Sequence, residues 1–245
     1  MSTSQTHTEQ ETFVLHEVSW EQYESILNVI GHHHLRHHYA DGELELWSTI
    51  NDVSWQEYAA FLNVLGDVSC RHYYANETIE MMSPRKDHDW IKRFLGRIVE
   101  QVAFEFDINI QCIGSTTITS HAVERGFQPD EAYYIANESL VRGKDFFEPD
   151  VDPPPDLLIE VDVTSSSKSR IPSFAAMGVP EVWRLCDHEI EFLILGLDGS
   201  YVSSERSVSF PMLTTADVLE SFEKLANQTE NRVLRDLVAK LRARA

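Results

Sequence analysis

The sequence predicts an α/β fold preceded by an N-terminal duplicated helix-hairpin unit. Three observations carry this: an ungapped internal repeat in the first third, an alternation of helix-period segments with short strand-like runs after Pro84, and a 42 % apolar fraction. No stretch approaches the roughly 18 apolar residues of a membrane span, so no membrane partner is expected. A chain of 245 residues can form one large or two small domains. Residues 1–13 are polar and are expected to be a disordered N-terminus. The repeat unit is placed at 14–49, the main domain at 50–222 and a C-terminal helix at 223–245.

The segment VSWEQYESILNVIGHHHLRHHYADGELELWS, from Val18 to Ser48, matches VSWQEYAAFLNVLGDVSCRHYYANETIEMMS, from Val53 to Ser83, at an offset of 35. Trp20/Trp55, Tyr23/Tyr58, Gly31/Gly66, His37/His72, Tyr39/Tyr74 and Glu45/Glu80 are among the identical pairs. Ser19 and Ser54 are good N-caps, and Gln22 or Glu57 three residues on completes a capping box. Trp20, Tyr23, Ile26, Leu27 and Ile30 then recur at helical spacing, and Gly31 stands where a glycine ends such a helix. A hairpin follows, turning at Asp41-Gly42 in the first copy and at the weaker Asn76-Glu77 in the second. Two copies are too few for a solenoid, so the added copy is expected to cap or extend the main domain or to form a subunit contact. His32, His33, His34, His37 and His38 suggest metal ligation, yet an unspaced run points neighbouring side chains to different faces, and a polar surface segment explains it as well.

After Pro84 a core-facing helix, residues 88–106, places Trp90, Ile91, Leu95, Ile98, Val99 and Val102 at helical spacing. Residues 108–113 and 116–120 read as strands, and Asp130 heads a short apolar strand ending at Ile135. The polar segment 137–155, rich in proline at its end, is expected to be a loop. It leads to a strand at 156–163 and then to a helix carrying Phe174, Ala175 and Met177, with Pro172 in its first turn, where proline is tolerated. Residues 182–186, 189–195 and 200–204 are expected strands, with Asp198-Gly199 as a hairpin turn, and 215–222 and 231–244 are expected helices.

Strand alternation sets Asp156, Leu158, Glu160 and Asp162 on one face and Leu157, Ile159, Val161 and Val163 on the other. Like charges so close raise one another's pKa unless the face is solvated or the charges meet a cation. A hard divalent ion with oxygen ligands, Mg²⁺ above all with Mn²⁺ as the alternative, resolves that repulsion. A half-exposed edge strand with a solvated acidic face is the competing explanation.

A net charge of −20 opposes a nucleic-acid partner, since DNA affinity comes largely from cations that displace counterions. Cations nevertheless crowd two places, Arg85, Lys86, Lys92, Arg93 and Arg97 in one and Arg232, Arg235, Lys240, Arg242 and Arg244 in the other. These are either local phosphate-binding patches or the solvated faces of two helices. A polar start without a basic flank and apolar run, and three cysteines without CxxC spacing, point to a cytoplasmic protein without a disulfide framework or zinc site.

VSWQEYAAFL, RHYYANETIEMMSP followed by His88, QPDEAYYI, PPPDLLIEVDVTSSS and AAMGVPEVWR together resemble the Uma-type family of putative restriction endonucleases, a branch of the PD-(D/E)xK nuclease superfamily. The likeness spans nearly all of 52–223. It implies a restriction-endonuclease-like mixed central sheet flanked by helices, with Asp130 and Glu160 as the two metal-binding acids; Asp162, on the same strand face as Glu160, could add a third oxygen ligand. It further implies a cleft that Glu80 and His88 line, a DNA substrate, and a homodimer able to cut both strands. The superfamily's lysine, expected two positions after Glu160, is here Asp162. In many relatives the lysine has moved to the next helix, where this chain has Arg170, with Lys168 nearby. The resemblance thus points to a Mg²⁺-dependent DNA endonuclease in which Lys168 or Arg170 meets the scissile phosphate. A second class is a nuclease-fold protein that has lost chemistry and acts as a binding or scaffolding module. Glycoside hydrolysis by the paired acids ranks third.

Overall fold

A computed structural model of the chain describes residues 12–33, 37–66, 68, 70–82, 86–144, 147–148, 150–162, 170–186 and 189–244. By internal contacts the chain divides into two compact units, Met1–Pro84 and Arg85–Ala245. Among the described residues no helix is long and apolar enough to cross a membrane.

In the first unit the elements run β1 (Thr12–Leu15), α1 (Trp20–Ile30), β2 (His37–Ala40), β3 (Glu43–Trp47), β4 (Thr49–Ile50), α2 (Trp55–Leu65), β5 (Arg71–Ala75) and β6 (Thr78–Met82). β3 pairs antiparallel with β1 and β2, and β6 pairs antiparallel with β4 and β5. β1 and β4 had no expected place. β1 begins within the segment expected to be disordered, and it forms because pairing with β3 lets Phe13 and Leu15 join the buried cluster of this unit. The repeated positions make the same contacts. Ser19 and Ser54 each cap their helix with a reciprocal capping box. Tyr39 Oη donates to the Val18 carbonyl and Tyr74 Oη to the Val53 carbonyl, each at 2.9 Å. Tyr23 stacks on Tyr39 at 4.6 Å, and Tyr58 on Tyr74 at 4.4 Å. Even Asn76-Glu77 forms a two-residue turn, with both residues at positive φ as such a hairpin demands. Gly31, by contrast, is right-handed at φ −65° and leads into a single 3₁₀ turn, so only Gly66, at φ 53°, uses the freedom glycine offers at a helix end.

The second unit opens with α3 (Lys86–Glu105) and continues through β7 (Gln111–Cys112), β8 (Ile118–Ser120), β9 (Arg125–Phe127), β10 (Glu131–Tyr134), α4 (Glu138–Val141) and β11 (Leu157–Asp162). Then come α5 (Ile171–Ala176), β12 (Glu181–Cys186), β13 (Glu189–Leu195), β14 (Tyr201–Ser204), α6 (Thr215–Lys224) and α7 (Glu230–Arg242). Six strands form one mixed sheet in the order β14-β13-β12-β11-β10-β7, in which β11 and β12 run parallel and every other pair is antiparallel. Leu157, Ile159 and Val161 point from β11 into a core shared with Leu95, Ile98 and Val102 of α3, Val218 of α6 and Val233, Leu237 and Leu241 of α7. The terminal helix is therefore part of this core.

Three expectations change. Residues 108–110 stay outside the sheet, and only Gln111 and Cys112 pair with β10. The expected loop 137–155 contains the short helix α4, whose Val141 is buried. β9 is an added strand, too short to announce itself, that pairs antiparallel with β8.

Asp217 ties α6 to α7. It completes the capping box with Thr214 at the start of α6, and it accepts from Arg244 at 2.7 Å and meets Lys240 at 2.8 Å. Burial pushes its carboxyl upward, and the hydrogen bonds from Lys240, Thr214 and Arg244 overcome that and hold it at about 2. A folded-state pKa below the ordinary carboxylate value gives stability that is complete above about pH 4 and is lost as the pH falls toward 2. Asp217→Asn should lower the urea midpoint at neutral pH and flatten its decline between about pH 4 and 2, as urea titrations across that range would show.

Candidate active site

Asp130 immediately precedes β10, and Glu160 lies on its sheet neighbour β11. The antiparallel register Glu131↔Ile159, carried one residue outward, sets Asp130 opposite Glu160. Directly opposed residues in such a pair have Cβ atoms about 5 Å apart on one face. Both are buried, at 2 % and 1 % exposure. The sequence produces this by placing Pro129 just ahead of Asp130 and the apolar run Leu157-Leu158-Ile159 just ahead of Glu160. Asp130 Oδ2 accepts the Val161 N–H at 2.7 Å, so the carboxylate itself extends the ladder just ahead of β10.

Arg170 joins them. It lies just before α5, whose Ser173 and Phe174 N–H groups donate to its carbonyl at 2.9 and 3.2 Å. Phe174 is fully buried, edge-on to Phe127 at 4.6 Å, and Pro172 occupies the first turn. The Arg170 backbone is thereby anchored, and its Nη1 donates to Glu160 Oε2 at 2.7 Å, with only 5 % of the residue exposed.

Asp162 follows a different course. Arg184, level with Glu160 on the parallel strand β12, donates through Nε to Asp162 Oδ2 at 2.8 Å and through Nη1 to Glu191 Oε2 at 3.0 Å. Burial works against the arginine's charge, and Asp162 and Glu191 more than offset it, so its pKa rises. Asp156, expected on the same acidic face, accepts the N–H groups of Ile135 and Asn137 at 2.7 and 2.9 Å and so pins the start of the following loop. Among the described residues no group of three or more His, Cys, Asp or Glu side chains is gathered around one cation-sized position. The edge-strand explanation of the acids is overturned: β11 lies between β10 and β12, and all six of its residues are buried.

Lys168 lies outside the described residues. His88 falls on α3 in the second unit, its side chain outside the described set, while Glu80 is half-buried on β6 of the first unit, paired in register with Tyr73 and Thr49. The crowded cations largely turn onto acids. Arg97 bonds Glu230 and Asn231, Arg242 pairs with Glu105, Arg232 with Asp236, and Lys92 approaches Glu131 at 3.9 Å. Arg184 is the site residue that sequence reading passed over. Its signal was present in EVWRLC, where one arginine interrupts an apolar strand and must find a buried partner.

Removing one member of a buried ion pair leaves an uncompensated charge and typically costs on the order of 3–5 kcal/mol. Arg184→Gln should therefore destabilise the fold by about that amount, whereas Asp162→Asn with Arg184→Gln should recover most of the loss. A double-mutant cycle by urea denaturation checks both.

A family profile described as "Uma2: Putative restriction endonuclease" matches residues 55–228. Among solved structures, a putative nuclease from Anabaena variabilis is similar at 15 % identity and a TM-score of 0.46, over 61 % of this chain and 89 % of that one. No curated protein matches the sequence. With the profile spanning well over half of the residues, including Asp130, Glu160 and Arg170, the chain belongs to the Uma2 family of putative restriction endonucleases.

Proposed function

We propose that the protein is a divalent-metal-dependent endonuclease that hydrolyses DNA phosphodiester bonds at Asp130 and Glu160. The observation that carries this reading is the pair of buried carboxylates, Asp130 just ahead of β10 and Glu160 on β11, with Arg170 against Glu160. The donor set fits a hard cation. Mg²⁺ is commonly held by one or two carboxylates, with waters and substrate phosphate oxygens completing its shell, and two acids without a third are enough for that. When bound there, the ion supplies an activated water and offsets charge on the phosphoryl oxygens.

The chain's own residues do the rest. Asp130 and Glu160 hold the cation and, through their burial, keep its field from being screened by solvent. Arg170 presents a planar fork suited to phosphate oxygens and would act there as a charge stabiliser rather than a base. Lys168, two residues earlier, is proposed as a second phosphate contact. Asp162 stays with Arg184 and shapes the site by neutralising that cation. Mn²⁺ substitutes for Mg²⁺ in this scheme, and a homodimer brings two sites to a duplex.

One observation favours a second reading, a nuclease-fold binding module. The net charge is −20, and many of the cations crowded in the sequence are spent on internal acids. The two readings separate cleanly. On the nuclease reading Mg²⁺ or Mn²⁺ raises the melting midpoint, by about 2.7 kcal/mol of stabilisation at a hundredfold excess over Kd. Glu160→Ala removes that rise together with metal-dependent nicking of supercoiled plasmid. Nicking that survives Glu160→Ala, or that needs no divalent ion, refutes the nuclease assignment to this site.

A further inference from the structure

The Arg170–Glu160 pair implies more than a phosphate contact held ready. A guanidinium and a divalent ion bind the same thing, the lone pairs of carboxylate oxygens. Here Arg170 Nη1 lies 2.7 Å from Glu160 Oε2, one of the two oxygens through which Glu160 could ligate. Both residues are at least nine-tenths buried, so water competes weakly for either. Asp130, the second acid, is turned to the Val161 N–H, a contact it keeps whether or not a cation arrives, because it continues the strand ladder. A cation that takes Glu160 Oε2 must therefore move the arginine.

The arginine is built for such a change. Its backbone is held by α5 and by Phe174 packed on Phe127, while its side chain reaches Glu160 on a long stem with several rotatable bonds. Its Nε is buried without a hydrogen-bond partner among the described residues, so the guanidinium is not locked on every side. The neighbouring arginine shows what a locked one looks like. Arg184 donates from Nε to Asp162 and from Nη1 to Glu191, in contacts that tie it to two strands. The charges agree. Arg170 brings one positive charge to Glu160, and a divalent ion brings two.

Building on the metal-dependent reading above, we propose that Arg170 is an internal placeholder for the cation beside Glu160, so that a divalent ion binds only as the guanidinium leaves that carboxylate. The released guanidinium is then the group free to meet the phosphate. The pair keeps Glu160 compensated before metal binds, and metal loading is what sets the arginine free.

The test is Mn²⁺ binding by calorimetry at about pH 8, using the full chain as wild type, Arg170→Gln, Arg170→Lys and Glu160→Gln. The placeholder predicts that Arg170→Gln tightens Mn²⁺ binding about tenfold or more, the effect of a unit charge some 5 Å from a divalent ion even at water's dielectric. Arg170→Lys, which keeps the charge but not the fork, should fall between, and Glu160→Gln should abolish binding. Equal or weaker Mn²⁺ binding by Arg170→Gln overturns the placeholder while leaving the metal site standing. Absence of binding to every form overturns the metal site itself. A readout on the wild type guards against a misfolded variant: in ¹⁵N-arginine-labelled protein, Mg²⁺ should shift the Arg170 guanidinium resonance, which Arg170→Lys identifies. An unmoved resonance at Mg²⁺ concentrations that raise the melting midpoint refutes the exchange.

Discussion

Strand β11 imposes the constraint on which the second unit depends. It lies between an antiparallel and a parallel neighbour with every residue buried, yet it carries Glu160 and Asp162 on one face. A charge removed from water must be paired and hydrogen-bonded, or the fold forfeits several kcal/mol. The surrounding elements supply the pairing. Arg184 on β12 meets Asp162, and Arg170 ahead of α5 meets Glu160. The opposite face of the same strand is wholly apolar and joins α3, α6 and α7 into one core. One strand thus welds the hydrophobic layer to the polar site, and the position of the site follows from where the core forces β11 to lie.

The two arginines divide the work differently. Arg184 is held by two carboxylates from adjacent strands, which makes it part of the sheet. Arg170 reaches in from the edge of a short helix and touches Glu160 through one terminal nitrogen. A buried ion pair adds little net stability on its own account, since desolvation offsets most of the attraction.

Much of this was legible in the residues. The repeat, its capping boxes and its hairpins followed from local rules that need only neighbours within a few positions, and the helix-strand order after Pro84 followed from periodicity. Strand alternation drew attention to Glu160 and the family resemblance to both Asp130 and Glu160, and the burial of the two acids is a finding of the structure. What escaped depends on partners distant in sequence. β1, β4 and β9 are two to four residues long and exist only through the strands they pair with. Asp162 looked like a third metal oxygen on alternation alone, and only the parallel register of β11 with β12 brings Arg184 against it. The same holds for the basic clusters, whose acids Glu105, Glu131 and Glu230 lie on other elements.

The central claim is that Asp130 and Glu160 together hold a divalent cation. Crystals of the full-length chain soaked in Mn²⁺, with diffraction recorded at the manganese absorption edge, test it most directly. The account predicts an anomalous peak within about 2.2 Å of a carboxylate oxygen of each acid, the spacing of a small hard divalent ion. A peak held by other residues, or none at an Mn²⁺ concentration that raises the melting midpoint, would contradict it.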